Sequence, residues 1–77
     1  MRIYLAAGTD GQAALRAVVG AGHPGCAVHD SDQLGLYVDA WDVSPVHELD
    51  LLAAVRTVDP LAGTAAFLID DEAVAAP

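Results

Sequence analysis

The run LGLYVDAW, Leu34 to Trp41, constrains this chain more than any other stretch. Leu34, Leu36, Val38 and Ala40 alternate with Gly35, Tyr37, Asp39 and Trp41. A period of two is the mark of a β-strand with one covered face. One side of this strand is purely aliphatic, and the other carries two large aromatics and a carboxylate. Any fold that contains it needs an apolar layer against the first face and leaves the second for another purpose.

The preceding residues supply a partner strand. CAVHD, Cys26 to Asp30, is a β-type run, and the polar SDQ that follows is a turn. A hairpin with a three-residue loop at Ser31–Gln33 sets Val28 against Leu36, Cys26 against Val38 and His29 against Gly35. The apolar pairs then share one face. Upstream, HPGC places Pro24 and Gly25 at the centre of a type II turn.

Two helices and two further strands complete the pattern. RIYLAA, Arg2 to Ala7, reads as a strand with Ile3, Leu5 and Ala7 on one face and Arg2, Tyr4 and Ala6 on the other. GTDGQAALRAVVGAG starts with a Thr9 or Asp10 cap, carries Leu15, Val18 and Val19 as its apolar stripe, and exits through Gly20 and Gly22. SPVHELDLLAAVRTVDP has Ser44 as N-cap, Pro45 at the first helical position and a stripe of Leu51, Leu52, Val55 and Val58. Asp59 before Pro60 stops that helix. GTAAFLID, from Gly63, reads as a last strand, and residues 71–77 as a frayed acidic, alanine-rich tail.

The order β-α-β-β-α-β predicts an α+β, ferredoxin-like split βαβ domain over residues 1–70. Its sheet is four-stranded and antiparallel, with both helices on one face and the first and third strands adjacent at the centre. Seventy-seven residues suffice for one domain with a small core. A hydrophobic content of 55% argues against disorder. A single cysteine excludes an internal disulfide.

Charge narrows the function. The chain has eleven acidic residues against three arginines, no lysine and a net charge of −8. Neutralising a nucleic-acid backbone takes several clustered basic side chains, and Arg2, Arg16 and Arg56 are scattered. Nucleic acid is therefore excluded as a partner, and a basic protein surface, or no charged partner at all, is favoured. The alanine-rich composition without lysine or asparagine suits a GC-rich genome, such as that of an actinobacterium or its phages. MRIYL is no basic-then-apolar leader, and no apolar run approaches the roughly 20 residues that span a bilayer. The expectation is a cytoplasmic protein with no membrane contact.

Because helices cover only one side of the expected sheet, Tyr4, His29, Tyr37, Asp39 and Trp41 are predicted to share the uncovered side. An aromatic patch of that kind marks a protein interface or a homodimer surface. GHPGCAVHDSD, Gly22 to Asp32, gathers His23, Cys26, His29, Asp30 and Asp32, yet it divides into a turn, a strand and a second turn. Cys26 and His29, three apart on a strand, point to opposite faces and cannot easily share an ion. DSDQLG lacks the oxygen ligands of a calcium loop. GTDG is a capped turn, and His47 a surface histidine. No metal, cofactor or catalytic residue is expected.

The function these residues favour is a small acidic interaction or regulatory module, non-catalytic, phage-encoded or accessory, acting through the aromatic sheet face. The alternatives are a dimeric α+β-barrel enzyme or small-ligand binder and, less favoured, an acidic nucleic-acid mimic that blocks a DNA-binding protein.

Overall fold

In the computed structural model, which describes residues 1–65, β1 (Arg2–Tyr4) leads to α1 (Gly11–Gly20). The hairpin β2 (Cys26–Ser31) and β3 (Gly35–Ala40) follows, and then α2 (Pro45–Arg56). Among the described residues the sheet has three strands in the order β1-β3-β2, and both pairings are antiparallel. The central strand is thus the alternating run. Its Val38 and Ala40 are fully buried and join Ile3, Leu5, Ala14, Val18, Leu51 and Val55 in one core cluster. Both helices therefore pack on the aliphatic face of the sheet.

Local chemistry accounts for the helix ends. The Asp10 carboxylate accepts from the Gln12 and Ala13 amides at 3.1 and 3.2 Å, so α1 starts on a side-chain cap. At its other end the His23 amide reaches the Val18 carbonyl and the Gly22 amide the Val19 carbonyl, with Gly22 at φ +94°. This is a Schellman closure, and it needs a residue that tolerates positive φ. Pro45 opens α2 as expected. Ser44 caps α2 through its carbonyl alone, which accepts from the His47 and Glu48 amides.

The four-stranded ferredoxin-like sheet is corrected to this three-stranded one. Among the described residues, the segment expected to form a fourth strand makes a single antiparallel bridge, Gly63 to Tyr4, and bends at Thr64 and Ala65. Residues 66–70 of that segment, and the tail at 71–77, lie outside the described residues. The first strand is also shorter than expected. The Leu5 amide still donates to the Leu36 carbonyl of β3 at 2.9 Å, and the chain turns away at Ala6, whose amide donates to the Asp59 carboxylate at 2.8 Å.

The hairpin register is offset by two residues from the expected one. Cys26 pairs with Ala40, Val28 with Val38, His29 with Tyr37 and Ser31 with Gly35, so the loop is Asp32–Leu34. The Ser31 hydroxyl accepts from the Gln33 and Leu34 amides, and Gly35 sits at φ +75° where the chain returns. A serine that folds the loop onto itself and a glycine able to reverse the chain move the turn one position along. A shift of two keeps every side chain on its expected face.

Burial on α1 also differs. Ala14 and Val18 are buried and Leu15 is half-buried, whereas Val19 is 47% exposed. The face α1 turns inward is the one that carries its small residues. A Cβ on Gly11 would come within 2.8 Å of Val28 Cγ2, so the first turn of the helix lies directly on β2.

Candidate functional site

On the face of the sheet away from the helices, Tyr37 sits at the middle of the central strand. Cross-strand pairing sets Tyr4 on one side of it and His29 on the other. The Tyr4 ring centroid is 5.6 Å away and the His29 centroid 5.2 Å away, both rings tilted. The Arg2 guanidinium carbon lies 5.4 Å from the Tyr37 centroid, in cation–π range. Four side chains from three strands thus form one continuous cluster.

Hydrogen bonding to Tyr4, and then the fields of Tyr37 and Tyr4, raise the Arg2 pKa above its ordinary value. Arginine is charged at any physiological pH, so the guanidinium brings a full positive charge to the Tyr37 ring. Asp39 pairs across the sheet with Arg2 on one side and Ala27 on the other, and is half-buried. His29 is exposed and Tyr37 half-buried.

Two members of the expected face are placed differently. Tyr4 is only 6% exposed. Its backbone bridges to Gly63, with its amide donating to the Gly63 carbonyl at 2.7 Å, and its ring lies against Tyr37. Trp41 lies past the end of β3 and is 50% exposed. Its indole covers Gly25, where a Cβ would come within 2.8 Å of Nε1. The Trp41 amide donates to the Gly25 carbonyl at 3.0 Å. An aromatic laid over the glycine just before the neighbouring strand supplies the packing that the glycine lacks.

Arg2 belongs to the cluster although it was not among the candidates. The signal was present: the alternation of RIYLAA puts Arg2 on the same side as Tyr4. A second grouping was not legible at all. His23, just before β2, and His47, in the first turn of α2, have ring centroids 5.5 Å apart. Twenty-three positions of intervening sequence carry no pattern that links them.

A depression of about 360 Å³ opens beside the start of α1, lined in part by Thr9, Asp10, Gln12, His29 and Asp30. Its position at a helix N-terminus would suit an anion, but Asp10 already occupies the first free amides. Among the described residues no histidine is hydrogen-bonded to a nucleophile or a carboxylate in a relay. No three His, Cys, Asp or Glu side chains among them converge on a common point for a metal ion. Cys26 is half-buried, and burial pushes its thiol pKa up. No helix among the described residues is long and apolar enough to cross a membrane.

Set against known protein families, curated proteins and solved structures, the chain matches none of them.

Proposed function

We propose that this chain is a non-catalytic interaction module, and that it captures a protein partner or a second copy of itself on the open face of its sheet. The observation that carries this reading is the Arg2–Tyr4–Tyr37–His29 cluster, with Trp41 exposed at its margin. Tyrosine, tryptophan and arginine dominate the energetics of protein interfaces because each offers large contact area together with a polar tip. Here the neighbouring rings hold Tyr37 in place before binding, so little side-chain entropy is left to lose. The net charge of −8 favours a partner with a basic rim.

Photo-cross-linking in cells tests this reading. A benzophenone amino acid at position 37 is compared with one at position 49, on the outward side of α2, where Leu49 is 75% exposed. The expected result is a discrete cross-linked product from position 37 that position 49 does not give. Trp41→Ala should weaken that product, or lower the mass read by light scattering if the partner is a second copy. Equal labelling from both positions, with mass and labelling unchanged in Trp41→Ala, would overturn the reading.

A further inference from the structure

His23 and His47 meet at the end of the molecule where β2 begins and α2 starts. Their ring planes are tilted by 47° at the 5.5 Å separation. Each ring turns one nitrogen toward an oxygen. Nε2 of His23 lies 2.7 Å from the Trp41 carbonyl oxygen. A carbonyl can only accept, so Nε2 carries the proton and Nδ1 keeps its lone pair. Nδ1 of His47 lies 3.6 Å from the Asp50 carboxylate. That contact is longer than a hydrogen bond, and the tautomer with its proton on Nδ1 is the one that leaves the lone pair on Nε2. Neither lone-pair nitrogen has a hydrogen-bond partner among the described residues.

A histidine that ligates a metal almost always gives its other N–H to a backbone carbonyl or a carboxylate, which fixes the tautomer and aims the ring. His23 has such a partner in the Trp41 carbonyl, and the Asp50 carboxylate lies beside Nδ1 of the His47 ring at the longer distance of 3.6 Å. We propose that His23 Nδ1 and His47 Nε2 together bind one divalent transition-metal ion of the zinc, nickel and copper class, with water completing its shell. The spacing agrees with this. A metal–nitrogen bond of about 2.0–2.1 Å, added to about 1.1 Å from nitrogen to ring centre, allows two ligating rings up to about 6 Å apart. Imidazole donors suit these metals, whereas calcium and magnesium need an oxygen cage. Two protein donors make an open, exchangeable site rather than a structural one, in keeping with the lack of a third ligand among the described residues. The net negative charge of the chain raises the local concentration of any cation. This site is independent of the aromatic face.

The chain carries its own reporter, because Trp41 is its single tryptophan and its carbonyl contacts His23. Titration of the intact chain with Ni²⁺, which does not oxidise thiols, should quench Trp41 fluorescence saturably at one ion per chain. Zn²⁺, which has a filled d shell, should displace it and restore the signal. His23→Gln and His47→Gln should each weaken the apparent Kd about tenfold or more, the scale on which metal sites respond when their shell is disturbed. Glutamine at position 23 can still donate to the Trp41 carbonyl, and circular dichroism reports whether each variant is folded. Should His23→Gln unfold, His47→Gln decides alone. His29→Gln, on the open sheet face, should leave binding unchanged. Unsaturable quenching, a different stoichiometry, an equal loss in His29→Gln, or no loss in His47→Gln would each overturn the proposal.

Discussion

Asp59 is the buried charged side chain of the described core, 5% exposed, and both of its oxygens are engaged. Oδ2 accepts from the Ala6 amide at 2.8 Å and Oδ1 from the Leu61 amide at 3.0 Å. Removing a buried acceptor leaves donors unsatisfied at a cost of roughly 1–3 kcal/mol. Asp59→Ala should therefore lower unfolding stability by about that much in urea denaturation, and Asp59→Asn by less, because its amide oxygen can keep one of the two bonds. Sequence alone shows Asp59 only as the residue before Pro60 and hence as a helix stop. Its partner Ala6 is 53 positions away, and no local pattern encodes that contact. Arg2 is the opposite case. Simple alternation placed it on the open face, and only its ring partner had to come from the fold.

The elements themselves were largely readable, because hydrophobic period and capping residues are local signals. Asp10, Gly22 and Pro45 act where such residues ordinarily act. Register was harder to read, since it depends on which loop residue closes the turn, and here the Ser31 hydroxyl and Gly35 decide it. The α1 stripe misled for a related reason. Hydrophobicity selects Val19, while the close approach of α1 to β2 selects Ala14 and Gly11. Alanine is favoured over glycine in a helix by about 1 kcal/mol. Gly11→Ala should nonetheless destabilise, by about 1–3 kcal/mol, because overpacking against Val28 and Leu36 outweighs propensity. Thermal denaturation reads the sign, and adding Val28→Ala should recover part of the Gly11→Ala loss. Perfect additivity of the two changes would show that they do not touch.

For the whole molecule, charge and topology matter most. Its extents are 41 × 26 × 19 Å. At about 0.01 M salt the Debye length is roughly 30 Å and takes in most of the molecule; at 0.15 M it is about 8 Å and does not. With a net charge of −8, self-repulsion opposes the compact state at low salt. The melting temperature should therefore rise as sodium chloride goes from about 0.01 to 0.15 M, and a flat response would show that the acids do not act collectively. The adjacency of the first and third strands followed from element order, and the sheet shows it. The width of the sheet did not follow, because the described part of the segment after Pro60, residues 61–65, contributes a single bridge at Gly63.

The strand order also has a consequence in time. The β2–β3 hairpin joins neighbours in sequence, so it can close within microseconds. β1 meets β3 only through Arg2–Asp39, Ile3–Val38 and Tyr4–Tyr37, pairs separated by nearly half the chain. Closing that long loop costs entropy before any contact offsets it. The aromatic cluster on the open face spans both pairings, so its final shape cannot exist until that slow closure is complete. By the same reasoning Tyr37 and His29 should come together before Arg2 and Tyr4 join them.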